Sequence, residues 1–93
     1  MTARAVVLCR RDTTNREIRY WARVYGLEVV YTVFTDTESS KLAAMIALQH
    51  LIERSAEIVM ISYLPGARIA DDRHWQVVLA VADAIASDGP VGR

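Results

Sequence analysis

Apolar residues in this chain follow two rhythms, short unbroken runs and longer stretches at helical spacing. Residues 4–9 (RAVVLC) form a run with β-branched members and predict a first strand buried on both faces. Thr14 followed three residues later by Glu17 has the spacing of a capping box. Ile18, Trp21, Ala22 and Tyr25 then recur at i, i+3, i+4, i+7, and Gly26 supplies a left-handed stop, so a helix is predicted over 15–25. Residues 28–34 (EVVYTVF) predict a second strand and 38–54 a second helix. In that helix Met45, Leu48, Leu51 and Ile52 are expected to form the core stripe, with Leu42 and Ile46 beside it, toward Gln49 and Glu53. The apolar arc exceeds half the circumference, more than one sheet face covers. Leu42, Ile46 and Gln49 are therefore interface candidates.

Residues 57–63 (EIVMISY) predict a third buried strand, closed by the turn signal Pro65-Gly66. Asp71 or Asp72 is expected to cap a third helix, whose Trp75, Val78, Leu79, Ala82 and Ile85 form one stripe up to Gly89-Pro90. The order β-α-β-α-β-α with short connections predicts a small α/β domain with a three-stranded parallel sheet, order 2-1-3, covered by helices. The 93 residues read as a single domain with its core over about 4–88 and a frayed tail over 89–93. Strands 1 and 3 would then be neighbours whose chains leave toward opposite faces, and the crevice between them is where open α/β sheets bind ligands. The topology places there Cys9, Arg10, Arg11 and Asp12, Thr35 and Asp36, and residues 64–71.

Composition narrows the picture. A domain of this length buries about 60–68% of its unfolded surface, enough for one core without metal or disulfide staples. The longest uncharged run is the eleven residues 42–52, whereas a bilayer span needs about 17–25, so no membrane partner is expected. The apolar run near the N-terminus is too short for a signal peptide, and the lone Cys9 offers no disulfide framework. A cytoplasmic protein is expected.

Net charge is zero, yet the charge is sorted. Residues 1–23 carry six arginines against Asp12 and Glu17, a balance of +4; residues 24–93 carry five cations against nine carboxylates, a balance of −4. Such sorting steers an anion to one face or lets the basic face of one copy meet the acidic face of another.

Several residues carry possible chemistry. Cys9 ends a strand just ahead of a helix and beside two arginines, where a thiol is activated, but residues 10–15 contain no glycine for a phosphate cradle. Cys9, Arg10, Arg11, Asp12, Asp36 and Arg68 are the ligand-binding candidates, against a packing role for the thiol. Arg16, Arg19, Tyr20 and Arg23 share one face of the first helix and are nucleic-acid candidates, although the sequence pI of 6.7 is far below the ~9 of a dedicated binder. His50 and His74 lack partners at metal-ligand spacing apart from the loose group Asp71, Asp72 and His74. No metal, cofactor or catalytic triad is expected.

The segments resemble the N-terminal domain of the serine recombinase (resolvase/invertase) family. That family's first strand leads through Tyr-x-Arg-x-Ser-Thr into a helix, and Leu8-Cys9-Arg10-Arg11-Asp12-Thr13 stands in its place. Arg10 and Thr13 match, Leu8 replaces the Tyr, and Asp12 replaces the serine nucleophile. Residues 51–63 (LIERSAEIVMISY) look like the family's second helix running into its third strand. The following Asp-Arg-Leu-Gly-Arg is here Leu64-Pro65-Gly66-Ala67-Arg68, which keeps only the last Arg. The resemblance covers residues 4–70 and implies a resolvase-like scaffold without strand-exchange chemistry, since a carboxylate in the nucleophile's place repels phosphate.

The expectation is a non-catalytic interaction or regulatory module, self-associating or bound to another protein. A phosphate-ligand or phosphoryl-group enzyme at Cys9, Arg10, Asp12 and Arg68, and nucleic-acid contact through the first helix, are the alternatives.

Overall fold

A computed structural model describes residues 2–92. Its elements are β1 (Ala3–Cys9), α1 (Asn15–Tyr25), β2 (Leu27–Phe34), α2 (Ser40–Glu53), β3 (Ile58–Ile61), α3 (Gly66–Ala70), α4 (Arg73–Leu79), β4 (Asp83–Ala86) and β5 (Gly89–Pro90). One sheet in the order β2-β1-β3-β4-β5 carries them, parallel throughout except where β5 turns back antiparallel on β4. No helix among the described residues is long and apolar enough to cross a membrane.

The first half follows the sequence closely. Thr14 accepts from the Glu17 N–H at 3.2 Å while the Glu17 carboxylate receives the Thr14 N–H, so both partners of the box satisfy free donors at the start of α1. Gly26 ends that helix at φ +64°, a conformation that costs a side chain about 1–2 kcal/mol. All five residues from Ala5 to Cys9 are fully buried because helices cover both sheet faces. On one face α1 packs Ile18, Trp21 and Tyr25 against Ala5, Val7, Cys9, Met60 and Ile85. On the other, α2, α3 and α4 cover Val6, Leu8, Val59 and Ile61.

The second half corrects three expectations. The sheet has five strands, with the expected 2-1-3 order preserved inside it. The stripe read as one helix up to Gly89 is broken: α4 stops at Leu79, and Ala84 to Ala86 belong to β4, paired parallel with β3. A buried β3 needs a hydrogen-bonding neighbour on each side, and β4 supplies the second. The expected frayed tail is tied down, because Gly89 and Pro90 form β5 and the Val91 N–H donates to Ala84 O at 2.9 Å; Arg93 lies outside the described residues.

A fourth correction concerns α2. Its buried residues are Ala43, Ala44, Ala47 and Leu51, a stripe of mostly small side chains that lets the helix lie close over β1 and β3. Met45 and Ile52, read as core, are 57% and 70% exposed, and Leu42 is 49% exposed. The helix ends in a Schellman arrangement, with the Ala56 N–H donating to Leu51 O (2.9 Å) and the Ser55 N–H to Ile52 O (3.3 Å). Ser55 occupies the left-handed position at φ +51°, where glycine is the usual residue.

Candidate functional site

The loops after β1, β2 and β3 meet at one rim of the sheet. Thr35 is held there by its N–H bond to Cys9 O (2.8 Å), and Ser62 by its N–H bond to Leu8 O (3.0 Å). The Arg11 N–H donates to Asp36 Oδ1 at 3.3 Å, and its Nε stands 3.9 Å from Asp36 Oδ2. The Arg10 guanidinium lies 5.1 Å from the Tyr63 ring centroid, a cation–π distance. Arg68 reaches from α3 to donate to Glu38 O at 2.9 Å. The rim thus gathers Arg10, Arg11, Asp36 and Arg68, with Tyr63, which the sequence reading did not single out. Asp12 is exposed on the same loop.

These groups largely occupy one another. Arg11 is taken by Asp36 and Arg68 by a backbone carbonyl, while the Tyr63 hydroxyl is buried without a hydrogen-bond partner. Burial pushes the Tyr63 phenol up, opposed by the charge of Arg10 and reinforced by Asp36, Cys9 and Glu38.

Cys9 is separated from the rim surface. Its side chain is fully buried on the α1 face of the sheet, with Sγ 3.8 Å from Val33 O. Burial raises the thiol pKa, the Thr13 side chain lowers it by hydrogen bonding, and the Glu17 charge raises it again, for a net rise. Such a thiol is a packing group, because the nucleophile is the thiolate.

Arg16, Arg19, Tyr20 and Arg23 are all exposed on the outer face of α1, with Tyr20 57% exposed. Asp72 and His74 are engaged in capping, since Asp72 Oδ1 accepts from the His74 N–H (2.8 Å) and the Trp75 N–H (3.2 Å) at the start of α4. Partial burial pushes the Asp72 carboxyl up, but those two bonds, one from the Ser40 side chain and the charge of His74 bring it below its ordinary value. His50 is half-buried, its ring 4.5 Å from that of Tyr31 and its Nδ1 3.8 Å from Glu53 Oε1. No group of three or more His, Cys, Asp or Glu among the described residues is placed to hold a metal ion.

An exposed apolar surface lies on α2. Leu42, Met45, Ile46, Leu48, Gln49 and Ile52 line an open groove of about 390 Å³. Beside it, Met45 and Leu48 share a hollow of about 130 Å³ with His74, Val77 and Val78 of α4, where Val77 is 55% exposed; Val81, in the turn after α4, is 63% exposed. Leu42, Ile46 and Gln49 are thus together on one outward face. Met45 and Ile52 join them there; only side-chain size, small residues inward and large ones outward, distinguishes this orientation from the reverse.

Comparison with protein-family models, curated proteins and solved structures gives no match for this chain.

Proposed function

We propose that this chain is a non-catalytic interaction module on a resolvase-like scaffold, and that it self-associates through the outer face of α2 and the adjoining edge of α4. One observation carries the reading: α2 spends its small residues on the protein's own core and leaves Leu42, Met45 and Ile52 to solvent. Within one copy the small residues let α2 lie close to the sheet, but the large ones stay in water and forgo much of the about 1.5–3 kcal/mol that each contributes on full burial. Contiguous apolar surface rimmed by polar residues is the mark of a contact site. The rim chemistry favours the same reading. The group in the nucleophile's place is Asp12, the thiol is buried with its pKa raised by that burial, and two of the rim arginines are already held by groups of the chain itself.

Size-exclusion chromatography with light scattering, run as a dilution series from about 500 μM to about 5 μM, tests it. The expected mass rises above that of the 10.4 kDa chain at the upper end, with a dissociation constant between about 1 μM and 1 mM. A constant monomer mass across the series overturns the proposal.

A second reading rests on the exposed Arg16, Arg19, Tyr20 and Arg23 of α1, on the sheet face opposite α2. Guanidinium groups beside an exposed ring suit a phosphate backbone with stacking bases. A DNA or RNA mobility shift at about 50 mM salt that weakens as salt rises, and is lost in Arg19→Ala/Arg23→Ala, supports it. No shift at that salt eliminates it.

A further inference from the structure

The spacing of the large residues on α2 goes beyond self-association as such and fixes how two copies meet. Leu42, Met45, Gln49 and Ile52 follow one another at steps of three, four and three, the a/d spacing of a helix-to-helix seam. At 100° per residue they fall within about a quarter of the circumference, opposite the buried alanines. Their arrangement is symmetric about the level of Ala47. Leu42 and Ile52 lie five residues to either side, Met45 and Gln49 two. A stripe with that symmetry is self-complementary when a second α2 runs antiparallel across a two-fold axis, because residue i then meets residue j and j meets i. Leu42 faces Ile52 of the second copy, and Met45 faces its Gln49.

Charge favours the same occupant and direction. Within α2, Lys41 near the amino-terminal end and Glu53 at the carboxy-terminal end are exposed and flank the stripe, each about 60° from its middle; the exposed Glu38 and Arg54 lie just outside the helix. Antiparallel pairing brings Lys41 of one copy toward Glu53 of the other and opposes the two helix dipoles; parallel pairing sets Lys41 by Lys41 and Glu53 by Glu53. With charges of both signs around it, the patch lacks the row of Lys and Arg that an anionic membrane surface selects. The extent of the surface fits a weak dimer. A standard interface takes about 800 Å² per partner, close to 15% of the 5473 Å² exposed here, and about 20–30 residues a side, so a stripe of four side chains supplies only part of it. The same two-fold lays the α4 edge along that of the second copy, adding Val77 and Val81.

We infer that the chain forms a weak two-fold dimer in which α2 pairs antiparallel with α2 of a second copy, centred at Ala47. The inference rests on the self-association proposed above, and the experiment separates the two. Sedimentation equilibrium is run on the wild-type chain, Leu42→Lys, Ile52→Glu and the double variant, with circular dichroism confirming that each is folded; both positions are exposed, so the substitutions leave the core alone. Each single variant is expected to weaken the dimer by about tenfold or more, because an unpaired charge is buried in the seam. In the double variant each introduced lysine meets an introduced glutamate on the other copy, at both ends of the seam, and association returns to within about threefold of wild type. An equimolar mixture of the two single variants is expected to associate more tightly than either alone, since one end is ion-paired and the other apolar. A double variant weaker than both singles, or a mixture no tighter than its components, overturns the antiparallel pairing while wild-type association still stands. Single variants that dimerise like wild type overturn the α2 seam. A wild-type chain that stays monomeric at about 500 μM overturns the self-association itself.

Discussion

Replacing Ala47 by leucine and, separately, Met45 by alanine sets the two faces of α2 against each other. Ala47 is fully buried under the helix, against the sheet residues of the larger core cluster. A leucine there adds three carbon atoms where interior packing leaves no room, and such overpacking costs about 1–3 kcal/mol. In a domain of this size that lowers Tm by about 4–8 °C for each kcal/mol. Met45 is 57% exposed, so truncation forfeits less than half of the roughly 1.5–3 kcal/mol that full burial of a methionine contributes, about 0.6–1.3 kcal/mol. The better helix propensity of alanine offsets part of this loss. Urea unfolding at about 0.1 μM protein, where a dimer in the expected affinity range is largely dissociated, measures both, with the fluorescence of Trp21 and the fully buried Trp75 as the reporter. Ala47→Leu is expected to be clearly destabilised and Met45→Ala close to wild type. The reverse order would mean that the large residues face the sheet, and the argument for a contact surface would be refuted.

Three further outcomes are expected. Ser55→Gly should stabilise the protein by about 0.5–1 kcal/mol in the same assay, because glycine takes the left-handed position at the end of α2 without the steric penalty that serine carries; a destabilised variant contradicts the Schellman ending. The folded-state pKa of Asp72 is depressed, so its contribution is present above the ordinary aspartate range and is lost as pH falls through and below it. Tm measured from about pH 6 to about pH 2 should therefore fall less steeply in Asp72→Asn, which keeps a capping side chain but cannot titrate, and an unchanged slope would contradict the assignment. The Cys9 thiol has a raised folded-state pKa, so it favours the fold below the ordinary thiol value and loses that contribution as pH rises through the raised one. Alkylation of Cys9 near pH 8 should be limited by unfolding, and rapid modification of the native chain would contradict its burial.

How much of this was legible in the sequence depended on whether local signals pointed one way. The limits of α1 follow from Thr14, Glu17 and Gly26, each acting through its own backbone neighbours, and the expected boundaries match the observed ones. Strands β1, β2 and β3 and their 2-1-3 order follow from β-branched runs separated by helices. The run from Trp75 to Ile85 failed because its apolar spacing suits a helix throughout and no Gly or Pro interrupts it; the break was decided by the demand of β3 for a partner, a non-local term. Orientation of α2 was legible in part, with Leu51 buried as expected, and failed at Met45 and Ile52 for a different reason. The expectation ranked residues by hydrophobicity, whereas a helix lying close to a sheet selects for small size as well, and Ala43, Ala44 and Ala47 satisfied both. At the rim, the meeting of Arg10, Arg11, Asp36 and Arg68 was readable from topology, but the placing of Arg10 over Tyr63 and the turning of Cys9 beneath α1 depend on strand pleat.

Residue-resolved dilution tests the central claim most directly. Amide shifts of the labelled chain, recorded by NMR from about 1 mM to about 20 μM, should move with concentration along one binding curve. The account predicts that the largest changes fall on residues 41–53 of α2 and 77–81 at the α4 edge, while the outer face of α1 and the β2 edge stay constant. Changes centred on α1 or on β2, with α2 unmoved, would contradict it.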